Sequence, residues 1–63
     1  MASLADIPAA LLTPERKTEF LTWLVTHPIT YGVRRRLLSL WSNATGAGIT
    51  AADHERIRSA PET

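Results

Sequence analysis

The chain has no cysteine. That excludes a disulfide framework and a cysteine-based zinc site, two common staples for a chain of 63 residues. Long hydrophobic runs are also missing. No apolar stretch approaches the roughly 18 residues that a membrane-spanning helix needs. Residues Met1 to Asp6 lack the basic and apolar regions of a secretion signal. The expected location is the cytoplasm, with no membrane contact. The sequon Asn43-Ala44-Thr45 means nothing there. Strand signals are scarce too, with no alternating run and no Asn-Gly or Asp-Gly hairpin turn. There is no internal repeat and no low-complexity tract.

Acidic residues are absent between Glu19 and Asp53, and Arg34, Arg35 and Arg36 fall in that gap. The middle of the chain is basic and both flanks are mildly acidic. The formal net charge is only +1, too small to argue for nucleic acid from bulk charge.

Catalytic signals are missing as well. No glycine-rich phosphate loop occurs, and Ser39 or Ser42 beside arginines makes no triad. Asp53 and Glu55 lie two apart and diverge on a helix. His27 and His54 belong to different segments with no ligand spacing, and His54 points away from its acidic neighbours. A chain this short has little room for a substrate cleft. No enzyme activity, cofactor, metal site or small-molecule substrate is expected.

What is present reads as a helical domain. Hydrophobic residues make up 44% and charged residues 21%, an ordinary globular composition. A domain of this size buries only about 60% of its unfolded surface, so it leans on tight packing or on a partner. Residues 3–12 form an apolar arm, where Pro8 forbids a regular helix and Leu4, Ile7, Leu11 and Leu12 can pack. Thr13 as cap and Pro14 in the first turn predict a helix over about 14–26. Pro28 ends it by turning His27 away from α geometry. Val33, Leu37, Leu40, Trp41 and Ala44 predict a second helix over about 30–44, stopped by Gly46 or Gly48. Leu38 extends one edge of its stripe, and Arg35, Ser39 and Ser42 face away. Thr50-Ala51-Ala52-Asp53 is a capping-box pattern for a third helix over 51–59. That helix has little apolar content and reads as a lid. The fold expected is all-α, a single three-helix domain with an apolar N-terminal arm.

Two features suggest a surface for a partner. The first helix carries an apolar arc of about 200°, wide for a helix with one buried side. Phe20, Leu21 and Leu24 form its centre, and Trp23 and Val25 its flanks. Trp23 and Val25 are therefore candidate contact residues for a protein partner or a second copy of the chain. The second feature is the arginine triplet. It lies in the first turns of the second helix, where the macrodipole disfavours cations. Arg34, Arg35 and Arg36 either face solvent or hold an anion. Arg35 points most directly outward, Arg36 lies at the far edge, and Arg34 flanks Trp41.

The function expected is a non-catalytic binding module for a protein partner, an accessory or inhibitor protein of the kind frequent in phages and mobile elements. Two alternatives stand beside it. One is a small helix-turn-helix-like DNA-binding protein that uses the basic second helix. The other is a structural subunit of a larger assembly.

Overall fold

The computed structural model describes residues 3–60. It shows a small all-α domain of three helices, with no strand among the described residues. The arm forms two short 3-10 turns, Leu4–Asp6 and Ala9–Leu11, and a third turn, Pro14–Arg16, leads into the first helix. The helices are α1 (Lys17–Thr26), α2 (Tyr31–Thr45) and α3 (Ala51–Ser59). No helix among the described residues is long and apolar enough to cross a membrane.

The helix ends follow local chemistry. Thr50 and Asp53 cap α3 reciprocally, with Asp53 N donating to Thr50 Oγ1 at 3.2 Å and Thr50 N donating to Asp53 Oδ2 at 3.0 Å. Gly46 ends α2 at φ 77°, and its N–H donates to Ser42 O at 2.8 Å. That left-handed position suits glycine because it has no Cβ. His27 is extended before Pro28, and its N–H closes α1 on Trp23 O. Thr30 caps α2 through its hydroxyl, which accepts from Val33 N.

Thr13 departs from expectation. It has the extended backbone of a cap, but its hydroxyl takes no cap bond. The first turn is a 3-10 turn, so Arg16 N donates to the Thr13 carbonyl at 3.2 Å. The N–H that the hydroxyl would have taken is already committed.

The core gathers Ile7, Phe20, Leu21, Leu24, Leu37, Leu38, Trp41 and Ile57. Phe20 and Trp41 stack at 4.7 Å between ring centroids and join α1 to α2. Trp41 Nε1 donates to Leu11 O at 2.6 Å, which ties the arm to α2. Leu40 was expected in this core and is only half-buried, outside the core cluster. Ala44, the last residue of the expected stripe, is exposed. The buried stripe of α2 is Arg34, Leu37, Leu38 and Trp41. It is rotated by about 60° from the stripe that hydrophobicity alone selects, at about 100° per residue. The cause is Arg34, which faces inward.

α3 is more than a lid. It packs against both α1 and α2, and Ile57 is fully buried in the core. Lys17 Nζ lies 2.6 Å from Asp53 Oδ2 and also donates to Gly48 O at 2.9 Å. Arg56 Nη2 donates to Thr22 Oγ1 at 2.9 Å, midway along both helices. α1 and α3 therefore run side by side in the same direction. Burial raises the Asp53 carboxyl, but the Lys17 ammonium and the Thr50 amide and hydroxyl lower it by more. Together they hold it below its ordinary value of 3.8.

Candidate functional site

The arginine triplet splits. Arg34 is 0% exposed, and its guanidinium reaches three backbone carbonyls. Nε donates to Leu24 O at 3.0 Å, Nη2 to His27 O at 3.3 Å and Nη1 to Ala60 O at 3.3 Å. Leu24 lies in the last turn of α1, and Ala60 follows the last residue of α3. Carbonyls at helix C-termini lack intrahelical partners and carry the negative end of the dipole. One fork of donors satisfies both ends, a geometry that only guanidinium offers. Arg34 was expected on the binding surface beside Trp41. Its burial removes it from that surface and makes it a clamp on the fold.

Arg35 and Arg36 are exposed. Arg35 lies 5.8 Å over the Tyr31 ring, a cation–π contact one turn back on the same helix. Among the described residues, neither Arg35 nor Arg36 makes an ion pair. The other exposed residues of this face are Gly32, Ser39 and Asn43. At about 100° per residue these five positions span an arc of only about 100°, opposite the buried stripe. The arc holds no acidic and no large apolar side chain.

Two shallow depressions lie along this arc and share Arg35 and Ser39. One, of about 290 Å³, is bounded by Gly32, Arg35, Arg36 and Ser39. The other, of about 240 Å³, runs past Ser42 and Asn43 to His54 of α3. Together they make a trough rich in hydrogen-bond donors.

Gly32 stands out within it. Its φ is not positive, and an added Cβ would meet nothing closer than Thr30 Oγ1 at 3.9 Å. Glycine in a helix costs about 1 kcal/mol relative to alanine. The fold does not require glycine here, and its effect is to leave bare backbone between two arginines.

Trp23 and Val25 are half-buried and pack against the core. Trp23 is stacked 6.0 Å from Phe20 and tilted 4.5 Å from His27. The wide apolar arc of α1 is used within the chain, because α1 packs on α3 and on the arm. Leu4, 39% exposed, is the only exposed large hydrophobic among the described residues. No cluster of three or more His, Asp or Glu side chains that could hold a metal occurs among them either.

Gly32, Ser39, Asn43 and His54 lie outside the site expected from sequence. The first three carry a signal in the spacing 32, 35, 36, 39, 43 inside the acid-free gap; His54 lies beyond that gap, and only the fold brings it to the trough. No family model matches the chain, and no curated protein or solved structure is detectably similar to it.

Proposed function

We propose that the protein is a small non-catalytic binding module that holds an anionic macromolecule on the outward face of α2. The observation that carries this reading is the narrow exposed arc with Arg35, Arg36 and no carboxylate. Arg35 and Arg36 leave a local excess of positive charge with no carboxylate on the same face. A partner's phosphates or carboxylates would neutralise it through charge-assisted hydrogen bonds. Arg34 and the core support the reading indirectly. They fix the backbone of α2, so its outward arginines sit on a rigid element.

Self-association through Trp23 and Val25 has less support. Both side chains already pack against the core of the same chain, and Leu4 is the only exposed large hydrophobic among the described residues.

Retention on immobilised heparin tests the reading. The unmodified chain should be retained at moderate salt, and Arg35→Glu/Arg36→Glu should flow through while keeping its helical circular dichroism. Equal elution of the two folded proteins would contradict it.

A further inference from the structure

We infer that the partner is duplex DNA and that the outward arc of α2 docks in its major groove. The inference rests on the anion-binding reading of α2 and adds the identity of the anion. An acidic protein surface and a DNA duplex both satisfy arginines. Three observations favour DNA.

The first is the chemistry of the arc. Arginine only donates, but Ser39 and Asn43 both donate and accept. Base edges in the major groove present donors and acceptors in turn, and Arg, Asn and Ser are among the side chains that pair with them. A surface of carboxylates presents acceptors alone.

The second is shape. An α-helix with its side chains is about 10–12 Å across, and the major groove is about 12 Å wide. Deep entry needs a helix face without bulk at its centre. Gly32 and Ser39 supply that face between the longer Arg35, Arg36 and Asn43. Bare backbone at Gly32 that the fold does not need becomes useful when another surface comes close.

The third is the flank. His54 of α3 borders the trough. Arg58 lies one turn further along the same side of α3. Both can reach the phosphates beside the groove that α2 occupies. The acidic neighbours are Asp53, which is paired with Lys17, and Glu55, which lies 4.0 Å from Arg58. The order of α1, a short turn at residues 27–30 and α2 is also that of a helix-turn-helix unit, whose second helix enters the groove.

The test titrates the full chain into three labelled probes and follows fluorescence anisotropy. The probes are a mixed-sequence DNA duplex of about two turns, an RNA duplex of the same sequence, and poly-L-glutamate. The inference predicts DNA binding at least roughly tenfold tighter than either competitor, because the RNA major groove is too narrow to read. With about three phosphate contacts, affinity should fall about 40-fold between 50 and 200 mM salt. Gly32→Leu, a good helix former at an exposed site, should stay folded and lose roughly fivefold or more of DNA affinity. Poly-glutamate bound as tightly as DNA, and released by Arg35→Gln/Arg36→Gln, would overturn the choice of DNA and leave the anionic face standing. DNA binding unchanged in folded Gly32→Leu would overturn groove entry. No binding to any probe would overturn both the inference and the reading beneath it.

Discussion

Arg34 and Arg35 are adjacent in sequence and opposite in the fold. Arg34 is sealed among the carbonyls of Leu24, His27 and Ala60, while Arg35 lies in the open over Tyr31. One step of about 100° along α2 separates a structural cation from a candidate binding one. Residue type therefore does not assign the role of a charge in this chain. Position on the helix does, together with what the surrounding carbonyls require.

Removing each arginine in turn should give the widest separation. Arg34→Ala strands buried carbonyls at two helix ends and should destabilise the fold by about 3–5 kcal/mol. A domain of this size has only several kcal/mol in total, so the variant is expected to be largely unfolded. Arg34→Lys should lose much of the same amount, because an ammonium cannot fork to three carbonyls. Arg35→Ala and Arg36→Ala should stay within about 0.5 kcal/mol. Urea denaturation followed by circular dichroism measures all four. Comparable losses at positions 34 and 35 would erase the distinction.

A second contrast lies between two leucines. Leu38→Ala should cost about 2–5 kcal/mol, and Leu40→Ala clearly less. The reverse order would mean that α2 is turned as hydrophobicity alone suggests. That face is where the sequence misled. The capping box at Thr50, the break at Pro28, the glycine stop at Gly46 and the three helices were all legible, because each depends on neighbours a few residues apart. The rotation of α2 was not. It depends on carbonyls from two other helix ends meeting at Arg34, and arginine counts as a surface residue in any pattern of hydrophobicity. The same tertiary fact hid half of the site. With Arg34 taken as exposed, the arc of Gly32, Arg35, Arg36, Ser39 and Asn43 did not stand out as one narrow stripe. Trp23 and Val25 drew attention instead, because the packing of the arm and α3 on α1 cannot be read from the spacing within α1.

The opposite pole of α1 and α3 sets a smaller contrast. There Lys17 and Asp53 form a partly exposed pair. The folded Asp53 carboxyl titrates below its ordinary value. Its contribution is therefore complete above the unfolded value and is lost as pH falls through the folded one. Acidification through pH 4 and below should lower stability, and Asp53→Asn should show less of that loss. An equal acid response in the variant would place the effect elsewhere.

The smallest effect on stability has the opposite sign. Gly32→Ala should stabilise the fold by roughly 0.5–1 kcal/mol, since nothing near the site needs glycine. A loss of stability would show that the bare backbone serves the fold after all.

The central claim is that the two faces of α2 divide the work, one holding the fold and the other holding a partner. Amide chemical-shift mapping of the ¹⁵N-labelled chain, titrated with the DNA duplex, tests it most directly. The account predicts shifts concentrated at Gly32, Arg35, Arg36, Ser39 and Asn43, with smaller ones at His54 and Arg58. Trp23, Val25 and the Thr18–Thr22 side of α1 should stay still. Shifts centred on Trp23 and Val25, with the outward arc of α2 silent, would contradict it.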